Sequence, residues 1–213
     1  MPAPADTPRL RDITELLERL HRHKDAAYGD AWRKRGEVIA IFANMARKYD
    51  RLLVAFDEQR PAATEPLGDT VADLCVYAGK YLTWIAEEHP ADLDAADLPL
   101  PSAAIIAARI GPDALRAVLV AVPAAVGQLP TQSDLAWAGV RETFDELEAA
   151  LMAQATPGSP ADQLLDFTAK ARLAWALTSE SAILLACLER DDPATLDSLR
   201  DEVAAMERTA ARP

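Results

Sequence analysis

The chain has 213 residues, half of them apolar, and carries a formal net charge of −12 from 34 acidic and 22 basic side chains. That length and apolar content are enough to bury a core without staples, and the acidic balance repels a phosphate backbone over most of the surface, so nucleic acid is not the expected partner. Cys75 and Cys187 each sit inside an apolar helical pattern and read as buried free thiols of a reducing compartment. No cationic segment leads into an apolar run, and no uninterrupted apolar stretch reaches the roughly 18 residues of a membrane span, so the expectation is a cytoplasmic protein without a membrane partner.

Apolar residues recur at three- and four-residue intervals in nearly every segment, and no alternating run is bounded by Asn-Gly or Asp-Gly. The predicted fold is all-α, a bundle of about eight helices. The first helix is expected from Leu10 to Ala27 and ends at Gly29, the second runs from Gly36 to Gln59, and the third from Pro66 to Glu88. These form a motif-bearing unit over residues 1–90. Three prolines and three aspartates between His89 and Ser102 mark a connector, about residues 91–103. A C-terminal helical unit over 104–210 comes next, with helices near Ala103–Arg109, Pro112–Val126, Ser133–Gln154, Pro160–Glu189 and Pro193–Arg208. It reads as an extension or as a degenerate repeat, since Asp69-Thr-Val-Ala-Asp73-Leu is echoed by Asp162-Gln-Leu-Leu-Asp166-Phe. Acids favour a helix's first turn in any case.

The residues that could carry chemistry lie on the first three helices. At about 100° per residue, Glu37, Asn44, Lys48 and Arg51 share a narrow polar stripe beside the apolar face of the second helix. On the third, Asp69, Asp73, Tyr77 and Lys80 share a face away from Leu67, Leu74, Ala78 and Ile85. Two carboxylates one turn apart can share a hard cation such as Mg²⁺, which takes oxygen ligands. They can equally stabilise the helix N-terminus or pair with Lys48 or Arg51 across the interface. Between the first two helices, Tyr28-Gly29-Asp30-Ala31-Trp32 sets two aromatics around a glycine turn, with Lys24 one turn earlier. Such rings stack on nucleobases, and such a lysine reaches a phosphate, although core packing of the same rings is as ordinary. The three histidines make no ligand-spaced cluster with the cysteines, and GxxxxGK[ST], GxGxxG and GxSxG are all absent.

Lys24-xxx-Tyr28-Gly29-Asp30-Ala31-Trp32, Gly36-Glu37, Asn44, Arg47-Lys48, Asp50-Arg51-Leu52, Asp69-Thr70, Asp73-Leu74 and Tyr77-Ala78 together resemble the nucleotide modification associated domain family, type one. The resemblance covers residues 24–88 and implies a role in nucleotide or modified-base metabolism, often in phage-like settings. The stretch from Glu65 through Asp69 to Asp73 is also similar to the acid-bearing helix of the MazG-like all-α nucleoside triphosphate pyrophosphohydrolases, which hold Mg²⁺ with ExxE on one helix and ExxD on the next. Here Ala40 stands three residues after Glu37, and Pro66 stands three before Asp69. The expectation is therefore a nucleotide-handling protein. Glu37, Asp69 and Asp73 would be its Mg²⁺ ligands and catalytic acids, Lys24, Lys48 and Arg51 would neutralise the phosphates, Asn44 would contact the substrate, and Tyr28, Trp32 or Tyr77 would stack on the base. The expected reaction is metal-assisted hydrolysis of a nucleoside triphosphate or modified nucleotide. The alternative is a non-catalytic helical interaction module, or a nucleotide sensor without turnover. A homodimer or higher oligomer is expected in either case.

Overall fold

A computed structural model describes residues 7–58, 66–109, 111–155 and 166–210; within these, the side chains of residues 7, 27, 28, 30 and 153–155 lie outside the description. Every regular element among the described residues is helical, and the fold is an all-α bundle.

Helix α1 (Thr7–Tyr28) buries Leu10, Ile13, Leu17 and Leu20, an apolar stripe at three- and four-residue steps. It gives way to a 3-10 turn, Gly29–Trp32, where Gly29 takes a positive φ of 50°. The second predicted helix is divided. A π-helical turn, Glu37–Phe42, comes after Gly36 (φ 80°), and only then does α2 (Ala43–Phe56) begin; Gln59 lies outside the described residues. In the wide turn the Ala43 N–H reaches back to the Val38 carbonyl, and the Asn44 side-chain amide donates to the Ala40 carbonyl at 2.8 Å. One extra residue in a turn rotates the side chains before it by about 100° relative to those after it. Glu37 is thereby turned off the stripe it was expected to share with Asn44 and Lys48.

Helix α3 (Leu67–Glu88) and helix α9 (Phe167–Asp191) are apolar around most of their circumference because they pack along each other at the centre, with α2 against α3 and α8 (Ser133–Ala155) against α9. Gly68 permits the close approach of α3 to the 3-10 turn Pro193–Leu196: a Cβ there would lie 2.4 Å from the Thr195 carbonyl oxygen. Asp166 caps α9 by accepting the Ala169 N–H at 2.8 Å. The expected start at Pro160, and the Asp162 half of the possible repeat, lie outside the described residues.

The stretch expected to be a connector holds a helix, α4 (Pro90–Ala95), with Pro90 and Asp92 in its first turn and Leu93 buried. The prolines and aspartates that suggested a linker are also helix-opening signals. Helix α5 (Ala103–Ala107) is next in the chain. The single helix expected over 112–126 is two, α6 (Pro112–Leu119) and α7 (Val122–Ala125), because Pro123 has no N–H to give to the carbonyl four residues back. Helix α10 (Asp197–Ala210) lies across α1 and the start of α3.

One apolar cluster runs through the described helices from Leu10 to Val203 and includes both cysteines, which are buried and free. By length and composition α9 could cross a membrane, but 61% of its apolar window is buried inside the molecule, which makes it a core helix.

Candidate functional site

Helices α1, α2, α3 and α10 and the Gly29–Trp32 turn surround a cavity of about 520 Å³. From α1 come His21, Lys24 and Asp25, at the i, i+3, i+4 spacing that puts three side chains on one face. Asp73, Tyr77 and Lys80 descend one face of α3 by the same rule. Asn44 enters from α2, Trp32 from the turn, and Glu202 from α10.

Asp73 links the polar groups. Its Oδ2 lies 2.6 Å from the Lys48 ammonium and its Oδ1 3.8 Å from that of Lys24, which in turn lies 3.6 Å from Oε2 of Glu202. Lys48 is only 5% exposed, so its charge is tolerable there because a carboxylate faces it. Lys80 holds Asp25 at 3.9 Å, and its ammonium stands 4.9 Å from the centre of the Trp32 ring and 6.0 Å from that of Tyr77. Two of the three rings expected to stack on a base thus present their electron-rich faces to a cation.

Burial, and then Lys80, Lys24 and Arg22, push the His21 imidazole down to about 3, so it stands neutral at pH 7, able to donate from one nitrogen and accept at the other. At 3.8 Å from Asp25 it makes no ion pair. Burial, with Asp73 adding to it, raises the Tyr77 phenol, which keeps its proton as a donor. Asn44 turns its amide inward to Ala40 and accepts from Arg47 at 3.2 Å.

The three acids expected to share a metal do not converge. Glu37 does not line the cavity; both its oxygens meet the Lys170 ammonium at 3.1 and 3.3 Å, and the Tyr81 hydroxyl donates to it. This pair is sealed: the side chains of Lys170 and Glu37 are 2% and 9% exposed, and the ammonium lies 4.3 Å from the centre of the Phe167 ring. Burial first, then the Glu37 charge, raises the Tyr81 phenol. Asp69 accepts from the Ser198 hydroxyl at 3.1 Å, while its Oδ1 is buried with no hydrogen-bond partner among the described residues. Burial chiefly, with Glu202 contributing, raises its carboxyl against the Ser198 hydrogen bond. Among the described residues no group of three His, Cys, Asp or Glu side chains is placed to hold a metal ion, and both Asp73 oxygens already face ammonium groups. The residues present therefore do not fit a Mg²⁺ bound by Glu37, Asp69 and Asp73, and the physical reason is the phase change of the π-helical turn together with the lysines that face Glu37 and Asp73, while Asp69 accepts from Ser198.

Of the other expected site residues, Lys24, Trp32, Asn44 and Tyr77 line the cavity with Asp73, and Lys48 supports it from behind Asp73. Arg51 is exposed on α2 and is not among the lining residues, and the Tyr28 side chain lies outside the described ones. Sequence reasoning put Lys80 on the face of Asp73 and Tyr77 without giving it a role, and passed over His21, Asp25 and Glu202. His21 and Asp25 were findable from their helical spacing to Lys24. Glu202 was not, because no local pattern connects α10 to the first helices.

No protein-family model and no solved structure matches the chain. The Gene 30 protein of Bacillus phage SP01 is similar to it, with 29% identity over 107 residues, covering 40% of this chain and 48% of that protein. The chain thus spans about half the length of the curated relative it matches.

Proposed function

We propose that this protein binds a nucleotide in the cavity between α1, α2, α3 and α10. The observation that carries this reading is the convergence there of Lys24, Trp32, Asn44, Asp73 and Tyr77, all singled out for nucleotide chemistry from the sequence, around about 520 Å³ of space, within the range usual for small-molecule sites. Lys24 meets the phosphate, Trp32 and Tyr77 flank the base, and the His21, Asp25 and Lys80 group offers hydrogen bonds in both directions to its edge. The similarity to a phage protein agrees with the phage-like setting that the family resemblance implies, though that protein's name states no activity.

A second reading, a helical interaction module without a ligand, is favoured by one specific observation: Lys48–Asp73 and Lys170–Glu37 are interhelical ion pairs of the kind such a module needs. One experiment separates the two. Purified protein is melted against ribo- and deoxyribonucleoside mono-, di- and triphosphates, in EDTA and in Mg²⁺, with released phosphate and pyrophosphate measured in the same wells. A nucleotide binder gains thermal stability by mass action, and the gain is lost in Lys24→Ala and Trp32→Ala. Turnover in the same wells would add hydrolysis to binding. No shift with any nucleotide would leave the interaction module.

A further inference from the structure

We infer that the cavity selects a nucleotide carrying a single phosphate, and that Glu202 of α10 sets this limit; the inference rests on the nucleotide reading above. Charge balance is the physical basis. Three ammonium groups serve the cavity, Lys24, Lys80 and Lys48 behind Asp73, and three carboxylates face them, Asp25, Asp73 and Glu202. His21 adds no charge, being held neutral by burial. These six groups balance, and the two that border them are of opposite sign: Arg47, which donates to the lining residue Asn44 at 3.2 Å, and Asp69, which feels the charges of Glu202 and Asp73. Such a wall is unlike the strongly cationic cradles that neutralise polyphosphates.

Lys24 is the ammonium best placed for a phosphate, since its side chain is one-third exposed whereas Lys48 and Lys80 are buried. It already stands between Asp73 at 3.8 Å and Glu202 at 3.6 Å. Of these two acids, Asp73 is committed to Lys48 at 2.6 Å, and Glu202 is the one that can yield: it is 36% exposed. A phosphate that takes the place of Glu202 on Lys24 exchanges one ion pair for another, a monophosphate bringing between one and two negative charges where Glu202 brought one. Each further phosphate charge would enter a wall with no excess of cations and with Glu202 and Asp73 close by, so the second and third phosphates are penalised. Glu202 therefore occupies the position of the ligand's own anion.

The test is calorimetric titration of the full chain with the mono-, di- and triphosphates of adenosine, guanosine, cytidine and uridine, in EDTA at low salt. The expected result is tighter binding of monophosphates than of triphosphates of the same base. Glu202→Gln should narrow the ratio roughly fivefold, the order of one partly exposed charge contact, and raising the salt should narrow it too. Ser198→Ala, which loosens the hydrogen bond from α10 to Asp69 without changing charge at Lys24, should leave the ratio unchanged. Helix content and melting point of both variants are measured alongside, so that a displaced α10 is not mistaken for a removed charge. Triphosphates binding the wild type as tightly as monophosphates, or an unchanged ratio in folded Glu202→Gln, would overturn the inference while the nucleotide reading stood. Absence of binding by every nucleotide would overturn both.

Discussion

Two lysine–carboxylate pairs flank α3, and they differ in what surrounds them. Lys170 and Glu37 are closed off by Tyr81 and Phe167, and their side chains are 2% and 9% exposed. Lys48 and Asp73 are as close, but Asp73 looks out on a cavity, reaches a second lysine, and through it a second carboxylate from another helix. A sealed ion pair has one arrangement and specifies packing, whereas an ion pair on a cavity can exchange a partner for a ligand. The proposed binding role therefore belongs beside Asp73 and a packing role beside Glu37, although the two acids look alike on a helical wheel.

The largest expected effect comes from breaking the sealed pair. Glu37→Ala or Lys170→Ala leaves a buried charge uncompensated and should lower unfolding free energy by about 3–5 kcal/mol, read from urea midpoints. The double variant E37Q/K170M, which removes both charges and keeps an acceptor for the Tyr81 hydroxyl, should recover most of that loss. If it does not, the pair is doing more than satisfying itself.

Asp73→Asn should cost less, about 2 kcal/mol, because the cavity lets water reach what it leaves behind, but it should weaken any nucleotide-induced melting shift where the Glu37 variants that remain folded do not. Equal loss of the shift in both would erase the distinction between the two regions.

Acid titration gives a third effect, small near neutral pH and growing as the pH falls. The His21 imidazole is held near 3 in the fold, against 6.5 for the ordinary group, so between these values the unfolded chain binds the proton that the folded chain refuses. Stability on this account is complete above pH 6.5 and falls as the pH drops toward 3, by at most about 1.4 kcal/mol per pH unit. His21→Asn should flatten that part of a stability-against-pH curve.

The smallest effect belongs to Asp69. Its carboxyl is raised chiefly by burial, so its contribution is favourable when protonated and is lost as the pH rises through its raised value. Asp69→Asn at pH 7 should leave the melting point within the change expected of about 0.5 kcal/mol, on the stabilising side. A large loss would mean that the ionised carboxylate has work that its single hydrogen bond to Ser198 does not account for.

The sequence by itself determined the helical class and the faces that helical period alone dictates. Asp73, Tyr77 and Lys80 had to descend one side of α3, and Lys24 had to sit one turn before the glycine turn, because 3.6 residues per turn leaves no choice within an uninterrupted helix. Only the tertiary structure decided where Glu37 points, since a single added residue in the π-helical turn rotates it away from Asn44 and Lys48 toward a lysine on α9. It likewise decided that Trp32 and Tyr77 face an ammonium and that Glu202 completes the cavity. These are contacts between segments far apart in the chain, set by how α3, α9 and α10 pack around a shared core, and no local periodicity encodes them.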